Sequence, residues 1–169
     1  MDAAVPPWAL VVRAVAPTDE AVWELLSAVT DPEIPVLTIE DIGILRDVTV
    51  APDGTVDVVI TPTYSGCPAM GVIREDIESA LESAGYSATV STRLMPAWTT
   101  DWMTGEGKEK LRAYGVAPPG APVSVVEEVL CPRCEDSNTR VVSEFGSTAC
   151  KRLMVCTACG EPFDQFKAI

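Results

Sequence analysis

The sequence has 169 residues, of which 47% are hydrophobic, and its formal net charge is −13 with no histidine. This composition suits one ordinary domain together with a small second one, and it excludes a disordered tail. The acidic balance argues against a nucleic-acid surface, because phosphate binding needs a basic patch that displaces counterions. Without histidine, the chain cannot supply a Cys–His or Ser–His catalytic pair or a histidine-ligated metal centre.

The start of the chain does not resemble an export signal. Asp2 is acidic where a signal peptide is basic, and Pro7 and Arg13 interrupt the first apolar stretch. No apolar run approaches the length of a membrane span. We therefore expect a cytoplasmic protein without a membrane segment. In that reducing compartment, paired cysteines are typical of metal binding rather than of disulfides.

The first predicted elements are a helix and a stiff loop. Thr18 is a suitable N-cap, and apolar residues recur at helical spacing over 19–29, which predicts a helix there. The next segment, 31–35, contains two prolines, which push the residues before them towards extended geometry. It predicts a stiff loop that carries the carboxylates of Asp31 and Glu33.

A hairpin and a helical crossover follow. Segments 45–50 and 55–61 are rich in β-branched residues, and the Pro-Asp-Gly sequence at 52–54 supplies the turn. A helix then begins at Pro68 with an apolar stripe that ends before Gly85. Segment 88–94 predicts a third strand, which returns beside the hairpin after the crossover.

The remaining segments predict a second module. A short polar helix over 106–114 is followed by a stretch rich in proline and glycine. We expect an α+β fold: a small domain of about three strands and two to three helices, followed by a ribbon. The expected divisions are an N-terminal extension, the α+β domain, a linker and a four-cysteine ribbon (1–17, 18–114, 115–126 and 127–169).

Two Cys-x-x-Cys pairs are the strongest motif in the sequence. They are Cys131 with Cys134 and Cys156 with Cys159, separated by 21 residues. Two such turns supply four thiolates in a tetrahedron, the arrangement that structural zinc prefers. Iron in the same cage, two disulfides or unrelated buried thiols are the alternatives.

A third feature is the isolated Cys67, directly before Pro68. If Pro68 is the first helical residue, Cys67 is the N-cap, where free backbone N–H groups and the helix dipole lower the pKa of a thiol. Such a thiolate suits a metal ligand or a nucleophile. The alternative is a small apolar side chain that fills the corner.

The acidic loop has two interpretations. Asp31 and Glu33 either solvate the loop and cap a helix end, or the loop packs over the helix corner and places a carboxylate near Cys67. In the second case, a thiolate with one or two carboxylates could hold a labile metal ion or cluster at a subunit contact, which implies a homodimer.

Two other features also leave alternatives open. Cys150 lies inside the ribbon but outside the paired motif, and we expect a buried structural thiol rather than a ligand. The apolar segment 95–103, with Trp98 and Trp102, either covers the sheet or marks a partner surface.

Taken together, these motifs resemble a known family. The segments 31–35, 42–43 and 61–68 are similar to the small domain of SufT-like iron–sulfur assembly factors, whose single reactive cysteine matches Cys67 and whose acidic loop matches Asp31 and Glu33. The rest of the chain is similar to the PaaD (PaaJ) branch, which is encoded with the aerobic phenylacetate degradation genes. The similar segments are 96–103, 111–119, 131–134, 145–151 and 161–164.

One departure from the family pattern lies in the tail. The family tends to read Phe-x-Tyr-Phe-Lys-Cys, and here Gln165 and Ala168 stand in the tyrosine and second-cysteine places. A role for a terminal cysteine is therefore in doubt, whereas the four ribbon ligands are all present.

The resemblance implies an accessory role. It implies a factor that assists metal-centre assembly in the multicomponent monooxygenase that epoxidises phenylacetyl-CoA, with Cys67 holding iron or a transient iron–sulfur cluster and zinc structural in the ribbon. The implied partners are the monooxygenase subunits, above all the iron–sulfur reductase, and not nucleic acid or membrane. The alternatives are a non-catalytic adaptor that docks partners through the ribbon and, more weakly, a thiol enzyme. We do not expect the chain itself to be catalytic.

Overall fold

A computed structural model describes residues 18–120 and 129–167. The predicted N-terminal extension, the linker residues 121–126 and Ala168 lie outside these ranges. The described helices and strands, in chain order, are α1 Asp19–Leu26, β1 Leu45–Val50, β2 Thr55–Ile60, α2 Ala69–Ser83, β3 Ser87–Thr92, a 3₁₀ turn at Thr100–Trp102, α3 Gly105–Tyr114, β4 Val116–Ala117, β5 Thr139–Ser143, β6 Lys151–Cys156 and β7 Pro162–Phe166.

The N-terminal module is built on a three-stranded sheet in the order β1-β2-β3. β1 and β2 form the predicted antiparallel hairpin, and β3 pairs parallel with β2. Helix α2 makes the crossover between them and buries Ile73, Ile77 and Leu81 completely. A crossover of this kind packs the helix back onto the sheet. The predicted crossover fold is confirmed.

The first helix is shorter than predicted. Thr18 is the N-cap, since its hydroxyl accepts a hydrogen bond from the N–H of Ala21 at 3.2 Å. The helix ends at Leu26, not at residue 29. Beyond it, the carbonyl of Val29 accepts a bond from the N–H of Ile39, and Thr30 forms a bridge with Thr38. The backbone after Leu26 therefore pairs with the loop 31–39 instead of continuing the helix.

Asp41 fixes that loop to α3. Its buried carboxylate accepts hydrogen bonds from the N–H of Thr38, the hydroxyl of Thr104 and the ammonium of Lys110, the last at 2.8 Å. Burial by itself would raise the pKa of Asp41, but the bonds from Lys110 and Thr38 outweigh it and lower the pKa. Thr104 in turn caps α3 by accepting from the N–H of Gly107.

The C-terminal module is a four-stranded sheet in the order β4-β7-β6-β5. β5, β6 and β7 form an antiparallel meander, and β4 pairs parallel with β7. The predicted linker, 115–126, thus begins with residues that belong to this sheet. Six buried side chains form the ribbon core: Ala117, Val129, Cys131, Met154, Cys156 and Phe163.

The two modules share the larger hydrophobic cluster, which we call the main core. Most of its side chains come from the N-terminal module, but Val116, Cys150 and Phe166 of the second module belong to it as well. The rings of Trp98 and Phe166 are in contact, with centroids 5.9 Å apart. No helix in the described ranges is both long and apolar enough to cross a membrane.

The tryptophan-rich segment 95–103 mainly covers this core. Trp98 is buried and donates its indole N–H to the carbonyl of Ile42 at 3.0 Å, and Met103 is also buried. Arg46 stacks over the half-buried ring of Trp102, 3.5 Å from its centroid. Met95, at 76% exposure, is the part of the segment that faces solvent.

Candidate functional site

The four ribbon cysteines converge on one point. Their sulfur atoms all lie within 4.8 Å of one another, with Cys131 and Cys159 3.8 Å apart and Cys134 and Cys156 3.6 Å apart. A tetrahedral zinc ion with Zn–S bonds of about 2.3 Å needs sulfur–sulfur separations of about 3.8 Å. The four thiols therefore fit zinc and are too far apart for disulfides, whose S–S bond is about 2.05 Å.

Two tight turns present these sulfurs. After the first pair begins, the carbonyl of Cys131 accepts from the N–H of Glu135, which has a positive φ of 60°. In the second, the carbonyl of Cys156 accepts from the N–H of Gly160, whose φ is 79°. Glycine takes this left-handed conformation without strain, which explains the Cys-Gly sequence after the second pair.

Hydrogen bonding within the cluster separates the pKa values of its thiols. Backbone N–H groups, first that of Cys159, favour the thiolate of Cys156 and lower its pKa to about 7. The N–H of Asp136 also favours the thiolate of Cys134, but bonds shared with neighbouring thiols outweigh it and raise that pKa to about 12. A metal ion resolves this competition, because it holds all four sulfurs as thiolates.

Cys67 lies one residue further from the helix than predicted. α2 begins at Ala69 with Pro68 in the N-cap place, so Cys67 is not the N-cap. Its thiol is half-buried, and burial raises its pKa. A hydrogen bond from the N–H of Ala69 acts in the opposite direction but does not compensate, and the charges of Glu33 and Asp31 add to the rise. The expectation of a lowered pKa was therefore wrong.

The acidic loop does pack near this thiol. Asp31 is buried, and one of its oxygens accepts the N–H groups of Glu33 and Ile34, both at 2.8 Å, which fixes the turn of the loop. Glu33 is half-buried. Burial and the neighbouring Asp31 raise its pKa, against the effect of Lys151. Both carboxylates act on Cys67 electrostatically, so Asp31 has a structural bond and Glu33 is the freer acid of the pair.

Residues of the ribbon reach the same place, and the sequence did not show it. Cys150 is buried in the main core, with its sulfur 3.0 Å from the hydroxyl of Thr148. Lys151 is a buried lysine whose ammonium lies 3.9 Å from a carboxylate oxygen of Asp164. Charges on Glu33 and Asp31 act on Cys150 as they do on Cys67. Because β6 belongs to another module, only the tertiary fold brings these groups together.

The two cysteine sites differ in how far they are preformed. In the described part of the chain, the ribbon cysteines are the single group of three or more possible ligands whose donor atoms all lie within 4.8 Å of one another. Cys67, Asp31 and Glu33 are neighbours without being such a group. The ribbon is therefore suited to a permanent metal ion, and the Cys67 site is not a closed cage.

The fold and the thiols define a class of protein: a small α+β module of the iron–sulfur assembly type, followed by a four-thiolate ribbon. Two family models match these modules, "Iron-sulfur cluster assembly protein" over residues 19–92 and "PaaD zinc beta ribbon domain" over residues 117–167. The metal in the name of this second family is the one that the sulfur geometry fits.

Relatives extend the match to nearly the whole chain. A protein of Escherichia coli, named as a 1,2-phenylacetyl-CoA epoxidase subunit, is 49% identical over 157 residues, which cover 90% of this chain and 94% of that protein. The chain therefore belongs to the PaaD family of phenylacetyl-CoA epoxidase subunits.

The N-terminal module has relatives of its own. A "Fe-S protein maturation auxiliary factor" of Porphyromonas gingivalis is 38% identical over 96 residues, 56% of this chain and 90% of that protein. A crystal structure of "Domain of Unknown Function DUF59" from Bacillus anthracis superposes with a TM-score of 0.53 at 27% identity, over 56% of this chain and 91% of that chain.

Proposed function

We propose that this chain is a maturation factor of the phenylacetyl-CoA epoxidase system, which helps to load iron or an iron–sulfur cluster and holds this cargo at Cys67. One observation carries the proposal. The module that resembles maturation factors presents a half-buried cysteine at the start of α2, faced by an acidic loop, outside the ribbon cage.

The chemistry of Cys67 suits a transient ligand. Because burial and the nearby carboxylates raise its pKa, the empty thiol is protonated at neutral pH. A protonated thiol reacts slowly with oxidants, since the thiolate is the reactive form. Iron displaces the proton when it binds, and the half-buried position leaves the sulfur open to a second protein. Glu33, the freer carboxylate, is placed to accept that proton or to contact the cargo.

The ribbon has a structural part in this proposal. Zinc held by four thiolates stabilises the fold and supplies no open coordination position for chemistry. We place the protein in the reducing cytoplasm, where these thiols stay available for metal. The client that we favour is the iron–sulfur reductase of the epoxidase, and a homodimer that pairs two Cys67 thiols is compatible with a bridged cluster.

The test is the cluster content of the client. The reductase is purified anaerobically from cells that carry the wild-type chain, Cys67→Ser, or the control Ser65→Ala, an exposed neighbour on the same loop. We expect Cys67→Ser to lower the iron and acid-labile sulfide of the reductase several-fold and the control to leave them unchanged. A fully loaded, active reductase from Cys67→Ser cells would refute the proposal.

A second candidate function is that of an adaptor, in which Cys67 is inert and the ribbon docks partner proteins. The raised pKa of Cys67 favours it, because a buried protonated thiol also fits a purely structural role. So do the exposed apolar side chains of Val142 and Phe145 at the edge of the ribbon sheet. Under this function, Cys67→Ser leaves the client loaded, whereas Phe145→Ser weakens its co-purification with the other subunits.

A further inference from the structure

We propose that Cys150 of the ribbon is the second thiol of the Cys67 site, so that the cargo iron is held between the two modules by two sulfurs. This inference rests on the proposed function, since it names a further ligand for the same cargo.

The position of Cys150 is the first argument. It belongs to the ribbon in sequence, but its side chain packs in the main core, where Cys67 also packs, and not in the ribbon core. The turn that carries it is fixed at both sides, because Lys151 donates its N–H to the carbonyl of Thr148 at 3.1 Å and Lys167 donates to the carbonyl of Cys150 at 2.9 Å. The fold thus directs this thiol away from its own module and towards the other.

The surroundings of the two thiols are the second argument. Cys67 and Cys150 act on each other electrostatically, and the same two carboxylates, Asp31 and Glu33, act on both. Four acidic groups that come from three separate segments therefore share one region. Packing alone would favour apolar side chains here, since burying groups of like charge is costly. A bound cation would offset that cost.

Lys151 supplies the third argument. Its side chain is almost fully buried, and its charge favours the ionised forms of both Cys150 and Glu33. Asp164 lies 3.9 Å from its ammonium, which makes a loose ion pair. A buried positive charge is rare unless negative charge surrounds it. It compensates for the charge that two bound thiolates would bring to this region.

The chemistry is a ligand exchange without oxidation. Ferrous iron binds two thiols, forms two Fe–S bonds and releases two protons to solvent or to Glu33. The iron remains ferrous, and two protein sulfurs leave its other coordination positions open to the cysteines of a client. Because the donor atoms are not preassembled into a group of three within 4.8 Å, we expect iron to draw the two thiols together.

The test uses full-length protein whose ribbon is already loaded with zinc. Ferrous ion is titrated anaerobically into wild type, Cys67→Ser and Cys150→Ser, and binding is followed by thiolate-to-iron charge-transfer absorption and by metal content. We expect one iron per wild-type chain and at least a tenfold weaker affinity in each variant. Zinc content and the melting temperature of Cys150→Ser show that the variant is folded.

The outcomes separate the two proposals. If wild type and Cys150→Ser bind equally and Cys67→Ser does not bind, the second thiol is wrong and the maturation function stands. If wild type binds no iron, both fall.

A second probe does not depend on the variant. Phenylarsine oxide, which bridges two neighbouring thiols, is added to the zinc-loaded wild type, followed by peptide mapping. An adduct that joins the Cys67 and Cys150 peptides supports the inference. Single-thiol adducts or none would overturn it, also where Cys150→Ser fails to fold.

Discussion

The ring of Trp98 lies 5.9 Å from the ring of Phe166, and this contact joins the N-terminal module to the last strand of the ribbon. Trp98 is fixed from the other side by the carbonyl of Ile42, which accepts its indole N–H. Since Phe166 is almost fully buried, the zinc module completes the main core and is not a separate appendage.

Trp98→Ala should uncouple the two modules. Removing a buried aromatic ring costs about 3–5 kcal/mol in free energy of unfolding. Trp98→Phe keeps a ring but leaves the carbonyl of Ile42 without this donor, at a cost of about 1–2 kcal/mol. The measurement is thermal unfolding followed by tryptophan fluorescence and by zinc release to a chromogenic chelator. The two signals should coincide in wild type and separate in Trp98→Ala. Coincident signals in all three proteins would show that this contact does not couple the modules.

Loss of one zinc ligand should weaken both modules. Cys156→Ser leaves three thiolates, and we expect zinc content to fall from one per chain to nearly none, with unfolding of the ribbon. Because Val116, Cys150 and Phe166 belong to the main core, the tryptophan signal should also melt at a lower temperature. All four tryptophans precede the ribbon, so this signal reports the first module. Thr157→Ser, at an exposed neighbour, is the control. An unchanged tryptophan melt in zinc-free Cys156→Ser would contradict the shared core.

Gly43 and Gly54 provide a matched pair. Both have positive φ, 76° and 86°, so alanine is strained at either place by about 1–2 kcal/mol. At Gly43, a Cβ would also lie 2.5 Å from the carbonyl oxygen of Trp102, whereas at Gly54 nothing lies within 4 Å. We expect Gly43→Ala to destabilise the protein by about 2 kcal/mol more than Gly54→Ala, measured by urea unfolding. Equal losses would show that the 3₁₀ turn at Thr100–Trp102 moves away freely.

Asp41 should make the protein sensitive to acid. The pKa of Asp41 is lowered in the folded state, so its contribution to stability is present above the unfolded value, about 3.9, and is lost as pH falls through the lower folded value. Asp41→Asn should cost about 1–3 kcal/mol at neutral pH. It should also flatten the decline in the free energy of unfolding between about pH 4 and pH 2. Glu106→Gln, at the exposed second partner of Lys110, is the control. An unchanged acid slope in Asp41→Asn would mean that another group sets it.

Local patterns predicted much of the fold. The helical spacing of Ile73, Ile77 and Leu81 and the β-branched runs of the hairpin specify elements whose buried faces follow from a simple period. The Cys-x-x-Cys pairs predicted the metal centre because each turn is set by a few adjacent residues. These signals do not depend on distant parts of the chain.

The remaining features depend on contacts between distant segments. Nothing in the sequence around Val116 predicts its pairing with β7, and nothing around Cys150 predicts its place in the main core. The pKa of Cys67 could not be predicted for the same reason. The helix start favours its thiolate, but burial and the loop carboxylates, which only the fold brings close, have the larger effect.

The central claim is that the chain holds cargo at Cys67 in addition to zinc in the ribbon. The most direct measurement is the metal and acid-labile sulfide content, with a visible spectrum, of protein purified anaerobically as wild type and as Cys67→Ser. We predict one zinc per chain in both proteins, and additional iron or iron–sulfur absorption that disappears in the variant. One zinc and no further metal or colour in either protein would contradict the claim and would leave the adaptor function as the better account.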